Sequence, residues 1–364
     1  METKKVALFL PSLVGGGAER VMLSLASEFA DQGHHVDLVL AKATGDYMHQ
    51  VPANVHIVDL DTPRVLYSLF PLIRYLKEHK PQSVLSALDH TNVVAICAVS
   101  LANINAKTVV SIHNNLTQFA KVRKKSMIMR LIPSLMKWSF KRAHKVIAVS
   151  QGVADDVIEQ LQLPEEKVQV IYNPVVDDAL IQKANEPLFH PWFQKGEPPV
   201  LLAVGRLTPE KDFPNLLRAF AKLRQQKEAR LIILGEGGKR AELEELIAEL
   251  GVAEDVQMPG FVDNPYAYMK NARLFVLSSY CEGLPTVLIE ALACGTEVVS
   301  TDCPSGPKEI LKGGRYGSLV EIDNSDALFQ AILEQLDTPK AEANREAYEP
   351  FWKTNVSRQY LEIL

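Results

Sequence analysis

The 364-residue sequence predicts an α/β protein of two doubly wound domains, each a parallel sheet covered by helices, facing one another across a central cleft, with a last helix that crosses back to the first. Three features point that way. The chain is longer than one ordinary core organises, and length alone suggests two domains of roughly 150 to 200 residues. Short β-branched runs alternate with stretches of helical period in both halves, the mark of parallel sheets with crossover helices. Between the halves, five prolines fall from Pro174 to Pro199, a composition that interrupts regular structure.

In the first half, "KKVALFL" is a continuous apolar run, as a strand buried on both faces requires. Glycines follow it, then the helical pattern "AERVMLSLASEFADQG" and the strand "HHVDLVLAK". "SVLSALD" (83–89), "KTVVSIH" (107–113) and "KVIAVS" (145–150) are further strands, with helices between them. "QVIYNPVVDDALIQKANEPLFHPWFQKGEPP" reads as hinge and linker, with Asn173 shaping the bend. The pattern then restarts through "PVLLAVGR", "FPNLLRAFAKLRQQ", "ARLIILGEG", "KRAELEELIAELG", "VQMPGFV", "ARLFVLSS", "PTVLIEALACG" and "TEVVSTD". In the final segment, Phe351, Trp352, Val356, Tyr360 and Leu364 fit one face of a helix packed across the domain junction. The expected boundaries are 1–175, 176–345 and 346–364. Ligands of such sheets bind at the carboxyl ends of the strands.

A composition of 47% hydrophobic and 23% charged residues is that of a soluble globular protein, and no low-complexity tract or solenoid repeat intervenes. Cys97, Cys281, Cys294 and Cys303 lack the close pairing of a zinc site or disulfide framework and read as cytosolic thiols. The N-terminus has the basic-then-apolar order of a signal peptide, but Pro11 interrupts it, which favours a first strand. The longest apolar stretch, 93–104, falls short of the roughly 20 residues that span a bilayer. Charge is uneven. Residues 1–175 hold 19 Lys and Arg against 15 Asp and Glu, and the rest hold 20 against 29. Lys107 to Lys145 contains ten basic residues and no acid, which calls for an anionic partner or surface.

Five predicted strand ends carry candidate chemistry. In "SLVGGGAER", Gly15, Gly16 and Gly17 lie between strand and helix, where backbone amides could face an anion or simply make a tight turn. The G-x-G-x-x-G dinucleotide pattern is absent, and no acid ends the second strand. "VGRLTPEKDF" sets Arg206 and Lys211 at the edge of the second sheet, a forked donor and a point charge that suit a diphosphate, or else solvated surface cations. In "CEGLPTVLIEALACG", Glu282 and Glu290 stand eight residues apart, the first in a loop and the second on a helix that Pro285 opens and Gly295 closes. That helix is apolar nearly all round, so Glu290 should be buried and must face a hydroxyl, a cation or a neighbouring helix's ion pair. His113, Asp89 and His90 end first-half strands, where a lone histidine is structural or faces the ligand edge.

These residues carry a resemblance. The two glutamates, together with "VGRLTPEKDFPNLLRAFAKL", "LGEGGKRAELEELIAELG", "PGFVDN" and "EGLPTVLIEALACGTEVVSTDCPSGPKEIL", resemble the retaining GT4 family of GT-B glycosyltransferases. The resemblance covers essentially the whole chain and is most specific from about 200 to 320. "GGGAER" is similar to members that build bacterial polysaccharide or lipid-linked oligosaccharide. The resemblance implies a UDP-sugar donor whose diphosphate is held by Gly16, Arg206, Lys211, Thr286 and Val287. It implies that Gly283, Leu284 and Pro285 line the sugar, that Glu290 takes the ribose hydroxyls, and that Phe261 and Val262 form the base pocket. Glu282 and His113 are then catalytic residues facing the transferred sugar, with Gly17, Asp89 and His90 on the acceptor side. Asp212 departs from the family, many of whose members have glycine after the lysine.

Metal-independent transfer is expected, since cations and helix amides can take up the charge of the leaving diphosphate, and no cofactor is implied. "FAKVRKKSMIMRLIPSLMKWSFKRAHKV" interleaves cations with apolar residues. Ile128, Leu131, Leu135, Trp138 and Phe140 can share a helical face despite Pro133, which suits anionic lipid, with Lys124, Lys125 and Arg130 as membrane contacts. A solvated or protein-binding face is the alternative, and nothing beside the charge supports nucleic acid. The acceptor is then a glycan, free or on a polyprenyl diphosphate, and the enzyme lies on the inner face of the cytoplasmic membrane. A GT-B epimerase or a non-catalytic nucleotide-sugar-binding subunit are the alternative functions.

Overall fold

The computed structural model of the chain describes residues 3–118, 127–339 and 344–364, with the backbone alone over 127–133. It divides into two compact units, one formed by Met1–Pro174 with Lys353–Leu364, the other by Val175–Trp352. The first unit holds strands β1 (Lys5–Leu10), β2 (His35–Leu40), β3 (His56–Asp59), β4 (Ser83–Ala87), β5 (Lys107–Ile112), β6 (Lys145–Ala148) and β7 (Val168–Val170). Its helices are α1 (Gly17–Asp31), α2 (Leu69–His79), α3 (Asp89–Ala102), α4 (Met127–Phe140) and α5 (Gln151–Leu161). The second unit holds α6 (Asp178–Ala184), α7 (Phe213–Arg224), α8 (Arg240–Glu249), α9 (Pro265–Asn271), α10 (Thr286–Ala293), α11 (Pro307–Ile310) and α12 (Ser325–Asp337). Its strands are β8 (Val200–Val204), β9 (Arg230–Leu234), β10 (Val256–Gly260), β11 (Leu274–Leu277), β12 (Val298–Thr301) and β13 (Ser318–Val320). The closing helix α13 (Lys353–Ile363) rejoins the first unit.

Both sheets are parallel throughout the described residues. Their orders are β3-β2-β1-β4-β5-β6-β7 and β10-β9-β8-β11-β12-β13. Each order reverses once, between β1 and β4 in the first sheet and between β8 and β11 in the second. Loops on either side of such a reversal leave in opposite directions and open a crevice at the carboxyl edge. The strand composition reflects burial on both faces: Val6, Leu8 and Leu10 of β1 enter one core cluster with α1 and α13, while Ala7 and Phe9 enter another with α2 and α3. In the second unit α7 and α12 pack on the sheet through Leu216, Phe220, Leu328 and Ile332.

α13 is pinned to the first unit by Tyr360, which is fully buried, and by hydrogen bonds from Gln32 Nε2 to Ser357 Oγ at 2.9 Å and from Lys107 Nζ to Ile363 O at 3.0 Å. Two expectations need correction. The helix does not begin near 346. Residues 345–351 form 3-10 turns that stay with the second unit, because Phe351 O accepts from the backbone N–H groups of Val175 and Val176, so Phe351 and Trp352 lie before the helix. Nor is the proline-rich stretch a linker. The crossing occurs at 174/175 beside the buried Asn173, and the residues after it pack as α6, against α9, and as a 3-10 turn with Pro191 in its first position. His190 Nε2 meets Gln257 Oε1 at 3.0 Å, and Asn264 Nδ2 donates to Lys183 O.

At the carboxyl edge of the second sheet, Gly235 has φ +133, and a Cβ there would lie 2.1 Å from Gly205 O. The ends of β8 and β9 close on each other only because this residue has no side chain. Gly235→Ala is therefore expected to lower the unfolding free energy by more than about 2 kcal/mol in urea denaturation. Gly238→Ala, with open space around its Cβ, should shift it by less than about 0.5 kcal/mol.

Candidate functional site

The β8–α7 and β11–α10 loops flank the reversal in the second sheet, and they bring together the residues expected to hold a diphosphate. Gly205 and Arg206 leave β8, a 3-10 turn spans Pro209–Lys211, and Asp212 joins it to α7 in the left-handed conformation, φ 45 and ψ 46. A glycine would meet that geometry without the steric cost a Cβ carries. Lys211 packs its stem over Gly205 and donates from Nζ to Glu282 Oε1 at 2.6 Å. Ser279 Oγ donates to the same oxygen at 2.6 Å, and Ser278 Oγ donates to Lys211 O at 2.8 Å.

The ion pair is largely withdrawn from water, with side chains 17% and 12% exposed. Such a pair recovers its desolvation cost only through close geometry and further hydrogen bonds, and removing one partner leaves a buried charge. The backbone repeats the link, as Tyr280 N–H donates to Glu210 O at 3.1 Å. Arg206 behaves differently. Its guanidinium is mostly exposed, with Glu210 no closer than 4.0 Å.

α10 begins at Thr286 with Pro285 as its N-cap and no side-chain cap. Its first backbone N–H groups lack intrahelical acceptors, so Thr286 and Val287 present donors and the positive end of the helix dipole. Gly283, Leu284 and Pro285 are buried just before it. Gly306, at φ +98, allows the β12–α11 loop to close on them, since a Cβ there would meet Pro285 Cδ at 2.5 Å. Glu290 lies one turn into the helix and is 4% exposed. Burial, and then the Glu290 carboxylate, push the Cys294 thiol up to about 12. Burial likewise raises Cys303, with Glu282 adding to it. Both thiols stay protonated and inert.

Phe261 and Val262 follow β10 at the edge of the same sheet, two strands from the reversal, with the Phe261 ring exposed. With strands about 4.8 Å apart, they stand roughly 10 Å along the edge from β8. Glu236 and Arg240, joined by two hydrogen bonds at 2.9 and 2.6 Å, brace this edge, and Arg240 also donates to Met258 O.

The remaining expected residues lie in the first unit, around its own reversal. Gly16 is the N-cap of α1, and a Cβ there would fall 2.0 Å from Glu19 Oε2, so a buried carboxylate already covers that helix start. Gly17 has open space around it. Asp89 and His90 begin α3, preceded by Leu88 at φ 74 and ψ 136, a conformation that strains a bulky residue. His113 follows β5, half-buried, with Nε2 2.8 Å from Ser111 Oγ. Asn92 Nδ2 donates to Ser111 O and Asn92 Oδ1 accepts from Ser86 Oγ, tying β4, α3 and β5 together. Desolvation lowers the His113 pKa to about 4, which keeps the imidazole neutral.

Sequence reasoning missed Ser278, Ser279, Ser111, Asn92 and Leu88. The paired serines before "YCEG" were the available signal for the first two, and nothing in the sequence marks a strained leucine. Lys124 and Lys125 lie outside the described residues, as does the side chain of Arg130. α4 runs unbroken through Pro133; the side chains of Ile128 and Leu131 lie outside the described residues, and the other three do not share one outer face: Leu135 and Trp138 are exposed, whereas Phe140 is buried. The reason is position, since Phe140 turns with Met136 into the core. Among the described residues no helix is long and apolar enough to cross a membrane.

Residues 185–350 match the family model for glycosyl transferases group 1, and residues 15–179 match that for glycosyltransferase family 4. The chain is 30% identical, over 96% of its length and 94% of the relative's, to N-acetylgalactosamine-N,N'-diacetylbacillosaminyl-diphospho-undecaprenol 4-alpha-N-acetylgalactosaminyltransferase of Campylobacter jejuni. Among solved structures it resembles Anabaena HepE in complex with UDP, with a TM-score of 0.78, 23% identity and 98% of each chain covered. It also resembles the lipopolysaccharide outer core galactosyltransferase WaaB, with a TM-score of 0.77, 20% identity and coverage of 99% and 98%.

Two outcomes are expected from this geometry. His113 should show no protonation by NMR between pH 8 and 5. Because its folded pKa is below the usual 6.5, stability should fall as pH drops from about 6.5 toward about 4, where the unfolded chain binds the extra proton. Asp212→Gly should raise stability by about 0.5–1 kcal/mol by relieving the left-handed backbone, measured by urea denaturation, with the Lys211–Glu282 pair unchanged.

Proposed function

The chain belongs to glycosyltransferase family 4 and has its GT-B fold, and on that premise we propose that it moves a hexose or N-acetylhexosamine from a UDP-sugar to a hydroxyl of a glycan on a polyprenyl diphosphate, with the anomeric configuration retained. The observation that carries the reading is the buried Lys211–Glu282 pair at the sheet reversal, beside the uncapped start of α10. The lipid-linked acceptor is supported by the name of the Campylobacter relative, and the UDP donor by the HepE complex.

In this reaction the bond from the sugar's anomeric carbon to the diphosphate oxygen breaks, and a bond to the acceptor oxygen forms on the same face. The acceptor's proton passes to the departing phosphate oxygen. Charge therefore builds on the diphosphate, where Arg206, Lys211 and the amides of Thr286 and Val287 stabilise it. Arg206, mostly exposed beside Glu210, closes on the phosphate. Lys211 is held by Glu282 at the place where that charge develops, and Glu282 faces the sugar. Glu290 accepts the ribose hydroxyls, and Phe261 and Val262 border the base. Neutral His113 contributes hydrogen bonds rather than charge on the sugar's side, with Asp89 and His90 toward the acceptor.

The first unit is the membrane-facing one. The basic run of Lys107 to Lys145, with Lys124, Lys125 and Arg130 in it, suits anionic lipid and supports a position on the inner face of the cytoplasmic membrane.

Incubation with radiolabelled UDP-sugars and polyprenyl-diphosphate-linked glycans should give a labelled lipid-linked product. Donor binding with neither transfer nor hydrolysis would instead assign a non-catalytic subunit. Glu290→Gln is expected to weaken UDP binding about 10- to 100-fold in calorimetry while leaving the circular dichroism spectrum intact. Unchanged affinity would remove the ribose assignment. Exchange of Lys124, Lys125 and Arg130 for glutamine should weaken binding to anionic vesicles most at low salt.

A further inference from the structure

One surface of the first unit carries apolar side chains that its own fold leaves uncovered. A 3-10 turn, Val65–Ser68, leads directly into α2, and along this segment Val65, Ser68, Leu72, Tyr75 and Leu76 face inward and are buried. The outward positions do not turn polar, as those of an ordinary surface helix do. Leu66 is 71% exposed, Tyr67 58% and Phe70 77%. The turn that presents them is held firmly. Ser68 Oγ lies 2.6 Å from Thr62 Oγ1, which donates to Ala41 O, and Tyr67 N–H donates to Arg64 O at 2.9 Å.

The outward face continues at helical spacing as Leu66, Phe70, Arg74 and Lys77, all exposed. Over about 16 Å, at 1.5 Å per residue, it passes from apolar to cationic. No Asp or Glu occurs from Pro63 to Lys77, and Glu78 stands 3.8 Å from Arg74. Thr62 N–H bonds to Ala41 O just past the end of β2, so the turn sits at the sheet's carboxyl edge. α3, which begins at that edge with Asp89 and His90, packs against the turn, against α2 and against α4. On α4, across α3 from the turn, Leu135 and Trp138 are also exposed, with the Arg142 guanidinium 4.1 Å from the indole.

We propose that Leu66, Tyr67 and Phe70 form a ridge that enters the interfacial region of an anionic bilayer, with Arg64, Arg74 and Lys77 against the headgroups. An apolar end flanked by cations is the pattern of interfacial helices, whose apolar side sits about 5–10 Å into the boundary of headgroups and acyl chains. Tyrosine suits that depth, since its ring is apolar and its hydroxyl wet. The inference rests on the membrane-facing reading of the first unit and deepens it: the cations attract through a field that salt screens, whereas the ridge adds contact that salt does not weaken. Insertion there would bring the start of α3 to the lipid surface, where the sugar of a polyprenyl-linked acceptor emerges.

The test compares wild type with a combined Leu66→Ser, Tyr67→Ser and Phe70→Ser variant, sedimented with vesicles of phosphatidylethanolamine and phosphatidylglycerol in equal parts. The substituted side chains are exposed, so thermal stability should not change. Partition into vesicles should fall roughly tenfold or more, with the larger relative loss at high salt. In a separate Phe70→Trp variant, brominated lipids should quench fluorescence beyond the wild-type level. Equal partition, no added quenching, or conversion of a dimer to a monomer with vesicle binding unchanged would overturn the proposal, the last by assigning the ridge to a second copy. Transfer from radiolabelled UDP-sugars to a water-soluble acceptor sugar separates the two readings. Ridge-dependent vesicle binding without any transfer would remove the transferase reading and leave the ridge standing. Transfer with ridge-independent binding would do the reverse.

Discussion

Lys211 and Glu282 meet at 2.6 Å with little water around them, and the second unit is built so that they do. An ammonium and a carboxylate in such a place need each other, because either alone would be a buried, uncompensated charge. The pair also draws together two loops seventy-one residues apart in sequence, from strands that are neighbours in the sheet. Its two charges cancel. In the proposed reaction an arriving diphosphate would meet a cation already positioned and already desolvated, with the more exposed Arg206 alongside. Preorganisation of this kind is what makes charge stabilisation effective in transfer reactions, since little has to rearrange as the leaving group acquires its charge.

The surroundings of the pair serve its position. Gly205 makes room for the lysine stem, Gly235 lets two strand ends touch, and Gly306 lets a third loop close behind the helix that carries Glu290. Asp212 holds a left-handed turn at some cost, and the lysine precedes it directly. The first unit shows the same economy in another form. Its reversal holds a strained Leu88 and a neutral, half-buried His113, fixed through Ser111 and Asn92. Strain and desolvation gather at the carboxyl edges of both sheets, where the ligands of doubly wound folds bind.

Much of this was legible in the sequence, for identifiable reasons. The strands were readable because burial on both faces makes them continuous apolar runs, and α10 was readable because proline opens it and glycine closes it. The burial of Glu290 could be inferred from its apolar neighbours along that helix. The start of α13 is misread from the sequence because Phe351 and Trp352 fit its period while their backbone is held by Val175 and Val176, a long-range contact with no local signal. Prolines suggest a linker, although Pro191 opens a packed turn. Phe140 matches the apolar face of α4 by spacing, yet its direction is set by the core. The Lys211–Glu282 contact was not readable at all. Pattern places each residue at a strand end, but only the strand order makes those two ends adjacent.

The most direct measurement is a crystal structure of the protein with an intact UDP-sugar. Lys211 Nζ is expected about 3 Å from a diphosphate oxygen while still in contact with Glu282, with the Glu290 carboxylate accepting the ribose hydroxyls and the phosphates over the start of α10. A diphosphate bound away from Lys211, or a Glu290 that keeps a protein partner and leaves the ribose untouched, would contradict this expectation.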